Sequence, residues 1–298
     1  MCISIFALGA LSAFAETEGY LTYRVSNGEI TIVGFDKTSE ETEITIPETI
    51  AGLPVTGIGE FAFENCETIT GIHLPSSIKT IGSDAFSDCI NLKNITIPDS
   101  VTYIGSDAFS GCANLTDIVF HNNIKGIWDN AFSDCINITN ITLPNGIDYI
   151  GYTTFSGCKS LESITIPKTV TEIQRNAFLG CANLRTVYYL GTEEEWNSIT
   201  IAKQNSELKN ADVIFVKHTE TAVSGDRKTF TVKPVNIAPN GGIVILALYN
   251  GENLVDTMIK PYDGSEAVFT TDKTYTGAKV MVWKSLADMK IVCNAETL

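Results

Sequence analysis

Six cysteines recur at a fixed interval of 23 residues, and regularly spaced thiols can bind a metal, pair as disulfides or respond to oxidants. They are Cys66, Cys89, Cys112, Cys135, Cys158 and Cys181. After removal of a leader only Cys293 joins them, and an odd number with a strict period argues against a paired framework. None of the three histidines shares a position within the period, so zinc is not expected. We expect a ladder of buried thiols, with disulfides as the alternative.

Carboxylate and amide side chains also recur, each before an Ala-Phe step. They are Asp84, Asp107, Asn130 and Asn176. A short acceptor at that point can cap one helical turn, which explains the row better than acid–base chemistry does. No nucleophile has a base at a suitable spacing, and no phosphate-binding loop is present. The sequence therefore predicts no enzymatic activity, no cofactor and no metal ion.

The elements that carry these residues are coils of a repeat. A phenylalanine lies three residues before each periodic cysteine, and the residue directly before each cysteine is Asn, Asp or Gly. A period of this length predicts a solenoid in which each coil stacks on its neighbours. Within a coil, an Ile-x-Ile or Ile-x-Leu segment predicts a short strand with two inward side chains. We expect a leucine-rich-repeat solenoid, right-handed, with short parallel strands and one helical turn per 23-residue coil.

Four segments follow from these patterns. Residues 1–15 form an apolar run that ends in a small-x-small site, which indicates a signal peptide. The run lacks a basic leading region, which predicts a truncated signal peptide. Residues 16–61 are predicted to be an N-terminal cap, with a β-hairpin at Asn27-Gly28 and an irregular first coil. Residues 62–217 form the solenoid with a C-terminal cap. Residues 218–298 lose the period and show short strand-like runs, which predict a small all-β sandwich.

The coil pattern Asp-Ala-Phe-Ser-Gly-Cys, Leu, Ile-Thr-Ile-Pro, Val and Ile-Gly resembles the BspA-like leucine-rich repeats of bacterial surface proteins over about residues 42–217. The resemblance implies adhesion to host matrix proteins, other bacteria or surface glycans, and it supplies no catalytic residues. Residues 218–298 are similar, more weakly, to immunoglobulin-like or fibronectin-like modules of secreted bacterial proteins.

Charge narrows the class of partner. The formal net charge is −15, and residues 1–217 carry 26 acidic and 12 basic side chains. Such a surface repels phosphate backbones and anionic lipids, so no nucleic acid and no membrane insertion are expected. We expect a secreted, monomeric protein that is either free outside the cell or associated with a cell surface.

The outward residues of the predicted strands form a candidate ligand face. These residues are His73, Asn94, Thr96, Asp117, Asn140, Thr142, Ser163, Thr165, Thr186 and Tyr188. Stacking places them in two rows about 4.8 Å apart per coil. The alternative is an ordinary solvated sheet face, on which threonine is simply a good strand former.

Coil 108–130 departs from the pattern. Val119-Phe120-His121 replaces Thr-Ile-Pro, and Trp128 replaces a glycine. His121 and Trp128 are candidate anchors for a partner, and the alternative is local repacking with Trp128 covering a gap.

These observations predict a secreted or cell-surface, non-catalytic recognition protein that binds host or bacterial surface proteins or glycans through the solenoid face. The alternatives are an accessory or carbohydrate-binding module of a secreted hydrolase system, with the C-terminal module contacting the glycan, and a structural surface protein.

Overall fold

The structure is a computed structural model that describes residues 15–215 with their side chains and, beyond them, the backbone of seven strands between residues 220 and 297. In the first part the strands are β1 (Glu16–Glu18), β2 (Leu21–Ser26), β3 (Glu29–Phe35), β4 (Glu43–Thr45), β5 (Thr49–Ile50), β6 (Leu53–Ile58), β7 (Gly71–His73), β8 (Thr80–Ile81), β9 (Asn94–Thr96), β10 (Tyr103–Ile104), β11 (Asp117–Val119), β12 (Gly126–Ile127), β13 (Asn140–Thr142), β14 (Tyr149–Ile150), β15 (Ser163–Ile166), β16 (Glu172–Ile173), β17 (Thr186–Tyr189), β18 (Thr200–Ile201) and β19 (Asp212–Phe215). The helices are α1 (Glu193–Ser198) and α2 (Ser206–Asn210).

Each coil contributes two short strands, and equivalent strands of successive coils pair in parallel. One row contains β4, β7, β9 and β11, and the other runs through β6, β8, β10 and β12. The register advances by 23 residues, as in Tyr103 opposite Thr80 and Asn94 opposite Asp117. The predicted parallel-strand solenoid is confirmed. At its start, β2 and β3 form the antiparallel hairpin predicted at Asn27-Gly28, and β3 pairs in parallel with β6.

The core is a column of aromatic rings beside a column of thiols. The periodic phenylalanines Phe63, Phe86, Phe109, Phe132, Phe155 and Phe178 stack with ring centroids 5.2–5.9 Å apart. All six periodic cysteines are free and buried, as predicted. Five of them do more than fill space, because each thiol donates a hydrogen bond to a phenylalanine carbonyl of the preceding coil. In Cys135, Sγ lies 3.1 Å from the Phe109 oxygen.

The turn that leads from each Ala-Phe step to the cysteine differs from the predicted helical turn. The residue before each cysteine has a left-handed backbone, as expected for Asn65, Asp88 and the glycines. The residue before Ala-Phe is left-handed as well, at φ 53° in Asp84, so it is not a helix cap. The Ser87 N–H donates instead to the Asp84 carbonyl. A hydrogen-bonded turn that starts from a left-handed residue therefore replaces the predicted helical turn.

The chain divides into two compact units. The first unit comprises Met1–Val187 and Ser198–Asp212. The second unit comprises Tyr188–Asn197 and Val213–Leu298. In the second unit, the Tyr189 ring packs edge-on against Trp196. Thr192 and Glu195 form a reciprocal capping box, because the N–H of each donates to the side chain of the other at 3.2 Å or less.

Farther along, the strands are β20 (Glu220–Val223), β21 (Thr229–Lys233), β22 (Gly242–Asn250), β23 (Asn253–Tyr262), β24 (Ala267–Thr270), β25 (Gly277–Trp283) and β26 (Ile291–Thr297). They pair antiparallel in the orders β20-β21-β24 and β23-β22-β25-β26. The predicted packing of two sheets as a sandwich and the predicted signal peptide lie outside the described residues. Cys293 lies on β26, and its side chain is likewise outside what is described. Among the residues that are described, no helix has the length and apolarity that a membrane crossing requires.

Candidate functional site

The outward residues of the first strand row form a ribbon on the solenoid surface. Asn94 lies in register with Asp117, and Thr96 with Val119. Farther along, Asn140 is opposite Ser163, and its Oδ1 accepts the Ser163 hydroxyl at 2.6 Å. We call this surface the polar ribbon. It comprises His73, Asn94, Thr96, Asp117, Asn140, Thr142, Ser163, Thr165 and Thr186.

Exposure varies along the polar ribbon. His73, Asn94, Thr96, Asp117 and Thr142 are exposed, whereas Ser163, Thr165 and Thr186 are half-buried. Tyr188, which the sequence also places on this face, belongs to the second unit and is half-buried. Exposed groups are the ones free to exchange water for a partner, so the accessible part of the polar ribbon runs from coil 62–84 to coil 131–153.

Both strand rows are interrupted at the same place. Within residues 15–215, β11 does not pair with β13, and β12 does not pair with β14. We call the boundary between coils 108–130 and 131–153 the seam. The phenylalanine column continues across it, since Phe109 and Phe132 remain 5.3 Å apart and the Phe109 N–H donates to the Ala131 carbonyl. The interruption therefore affects the strand edges and leaves the turn edge intact.

Side chains replace the missing backbone bonds at the seam. Asp129 Oδ1 accepts the Tyr152 N–H at 2.9 Å, and Asn122 Oδ1 accepts the Asn145 N–H at 3.2 Å. A β-carbon at Gly146 would collide with the Ile124 carbonyl oxygen, so a larger residue is excluded there. Coil 108–130 thus differs from the others in its connections as well as in its sequence.

The two candidate anchors are placed differently. Trp128 is 48% exposed, and its indole lies over Gly126, where a β-carbon would be 3.1 Å from Nε1. His121 is half-buried, and its Nδ1 accepts the Asn123 N–H at 3.3 Å while Nε2 is buried without a partner. Trp128 therefore covers the space beside Gly126 and still exposes about half of its side chain to solvent, whereas Nε2 of His121 points into the protein.

The thiols do not form a reactive site. Burial raises the pKa of Cys66 to about 11 and of Cys89 and Cys181 to about 12. The pKa values of the three thiols between them, Cys112, Cys135 and Cys158, are raised well above the ordinary range for the same reason. A thiol must ionise to attack or to bind metal, so these six are inert at neutral pH. No metal-ligand cluster occurs among the residues described.

Sequence reasoning missed a second set of exposed aromatic residues. Tyr103 and Tyr152 are 43% and 51% exposed, and Tyr149 is half-buried on β14. A signal for them exists in the sequence, because Tyr103 and Tyr149 occupy equivalent positions two periods apart with Gly126 between them.

Comparison with known proteins gives a family and two similar structures. The model of the BspA type leucine rich repeat region matches residues 28–137 and 56–185, with six copies. A leucine rich cell surface protein from Faecalibacterium prausnitzii aligns at 28% identity and a TM-score of 0.60 over 76% of this chain and 60% of its own. A leucine rich repeat protein from T. pallidum aligns at 27% identity and 0.55 over 63% of this chain and 85% of its own. No curated protein matches.

Proposed function

Because the chain belongs to the family of BspA type leucine rich repeat proteins, we propose that it is a secreted or cell-surface recognition protein that binds surface proteins or glycans through the polar ribbon. The family and the similar cell surface protein support a surface location and a non-catalytic role. The observation that carries the proposal is the register of the outward residues, which places amide, hydroxyl and carboxylate groups side by side over successive coils.

The geometry suits a large partner better than a small molecule. The outward groups of paired neighbouring strands are about 4.8 Å apart, so the three coils that carry β7, β9 and β11 extend over roughly 10 Å of surface. A small ligand binds in a concave, largely apolar pocket with a few polar groups, and the polar ribbon has neither property. An extended row of hydrogen-bonding groups on a rigid stack instead offers many weak contacts to a protein or polysaccharide surface.

The test uses the whole chain and immobilised matrix proteins, mucin and polysaccharides. In the variant Thr96→Lys/Thr142→Lys, two exposed threonines of the polar ribbon become cationic, and a detected interaction is expected to weaken about tenfold or more. Thr80→Lys is the matched control, because Thr80 is an exposed strand threonine of the other row. Equal binding by all three proteins would show that the polar ribbon is not the contact surface.

A further inference from the structure

Backbone hydrogen bonds beside the strands join neighbouring coils on both sides of the seam and are missing at the seam itself. In coil 108–130 the donors to the preceding coil are the N–H groups of Thr116, Lys125 and Trp128. The equivalent donors one coil later are Thr139, Asp148 and Gly151, and none of these three N–H groups donates a hydrogen bond within residues 15–215. Bonds of this kind return in the following coil, at Glu162, Thr171 and Gln174. The loss is therefore confined to one boundary.

The turn edge of the same boundary keeps its bonds. The N–H groups of Phe109 and Gly111 donate to the Ala131 and Ser133 carbonyls at 2.9 and 2.8 Å. The Cys135 thiol reaches back to the Phe109 carbonyl as well. The two coils are thus connected along the turn edge and disconnected along both strand rows, which is the arrangement of a hinge.

Phe120 is the residue that distinguishes the strand edge of coil 108–130. It takes the inward place that Ile97 and Leu143 fill in the neighbouring coils, where each is 3% exposed. Phe120 is only half-buried, and its ring meets that of Phe132 in the next coil edge-on at 5.6 Å. A larger side chain in a packed interior displaces its neighbours, so a ring at this place favours separated strand edges.

Side chains make the bonds that cross beside the strands. Asp129 Oδ1 accepts the Tyr152 N–H, and Asn122 Oδ1 accepts the Asn145 N–H. These acceptors lie at the ends of rotatable side chains, and Asn122 and Asn145 are both exposed. Water can replace such a bond at small net cost, so these two bonds resist bending far less than a strand ladder does.

The charges beside the seam favour the opposite movement. Lys125 and Asp148 occupy equivalent positions on either side of it, and both are exposed. Within residues 15–215 they form no ion pair with each other. Pairing of β12 with β14 in the 23-residue register would bring the two side chains next to each other, where opposite charges attract. The boundary therefore has an open form and a closed form, each with its own favourable contact.

We propose that the seam is a hinge, with the phenylalanine column as its axis and Phe120 as the wedge that keeps it open. The strand edges of the two coils separate and approach while the turn edge stays fixed. The movement changes the distance between Val119 and Thr142, so the polar ribbon adapts to partner surfaces of different curvature. This consequence rests on the proposed function, whereas the hinge itself does not.

Amide hydrogen exchange, followed by NMR on the whole chain and corrected for intrinsic rates, tests the separation of the strand edges. The Thr139 and Asp148 N–H groups should exchange about a hundredfold or more faster than those of Thr116 and Lys125, because only the latter pair is bonded to the preceding coil. The Phe109 N–H, on the turn edge, should remain protected. Equal protection of Thr139 and Thr116 would overturn the proposal.

Residual dipolar couplings on the same sample test whether the two sides move. Residues 62–130 and 131–187 are fitted separately, and unequal alignment strengths are expected because the sides reorient relative to each other. Equal strengths together with rapid exchange at Thr139 would indicate a fixed gap and would overturn the hinge. Neither measurement requires a partner, so failure of the hinge is distinguishable from failure of the polar ribbon as a binding surface.

Variants test the wedge. Phe120→Ile/His121→Pro restores the Ile-Pro pair of coil 85–107, and it should slow exchange at Thr139 about a hundredfold and equalise the alignment strengths. Phe120→Leu, which copies Leu143, should act in the same direction. Ile166→Val is the matched control, because it alters a buried residue at the equivalent place two coils later, and it should leave the seam unchanged. Rapid exchange at Thr139 that persists in both Phe120 variants, with native circular dichroism spectra, would overturn the role of Phe120.

Discussion

The thiol column predicts that the protein loses stability steeply in mild alkali. An unfolded thiol titrates near pH 9.0, whereas burial raises the pKa of Cys89 and Cys181 to about 12. Above pH 9 the unfolded chain therefore releases protons that the folded chain retains. The contribution of these thiols to the free energy of unfolding is complete below the unfolded pKa, and it is lost as the pH rises from 9 towards the folded pKa.

The magnitude follows from the number of thiols. At pH 10 each buried thiol lowers the free energy of unfolding by about 1.4 kcal/mol, and the five from Cys89 to Cys181 together lower it by about 7 kcal/mol. Domains are stable by only about 5–15 kcal/mol in total, so unfolding near pH 10 is the expected result.

Urea unfolding followed by circular dichroism, in the presence of a phosphine reductant, measures this effect at pH 7, 8, 9 and 10. Cys135→Ala should cost about 2 kcal/mol at pH 7, because it removes buried sulfur contacts and the hydrogen bond to the Phe109 carbonyl. That cost should shrink by about 1.4 kcal/mol at pH 10, since the variant has one thiol fewer to ionise. Ile138→Val, a buried change on the same coil without a titrating group, should cost the same at every pH.

A stability that stays constant between pH 8 and pH 10 would refute the reasoning. So would a cost for Cys135→Ala that does not change with pH.

Three further predictions concern the coils themselves. Gly105→Ala should lower the free energy of unfolding in urea by several kcal/mol, because the new β-carbon would lie 2.5 Å from backbone atoms of the preceding coil. In the control variant Gly126→Ala, the nearest atoms are side-chain atoms at 3.1 Å, so the loss should be far smaller. Asp84→Asn should raise the melting temperature at pH 7, because burial and then nearby carboxylates raise the pKa of Asp84 and disfavour its charge; the gain should vanish as the pH falls through that pKa. Asp129→Ala should cost about 1–2 kcal/mol by leaving the Tyr152 N–H without its acceptor, and an unchanged urea midpoint would show that the seam needs no such bond.

The repeat is the part of this protein that the sequence alone predicts. Equivalent side chains must fill equivalent places in a stack, so the period of Cys89 and its counterparts marks each coil and its buried column. Left-handed backbone before each cysteine follows from the same logic, because Asn, Asp and Gly tolerate it. The same conformation at Phe61 and Thr153 could not be inferred, since bulky and β-branched residues rarely adopt it.

The tertiary structure alone showed where the two strand rows of the solenoid are interrupted. Strand pairing depends on whether backbone groups of adjacent coils come within hydrogen-bonding distance, and no single residue type at 117–119 or 126–127 encodes that separation. The thiol hydrogen bonds are likewise invisible in sequence, because the acceptor of Cys135 is a carbonyl 26 residues earlier. In the sequence Trp128 is an isolated exception, and only the structure shows that its indole lies over Gly126. Sequence period determined the coils of this protein, and contacts between coils determined which surfaces are left for a partner.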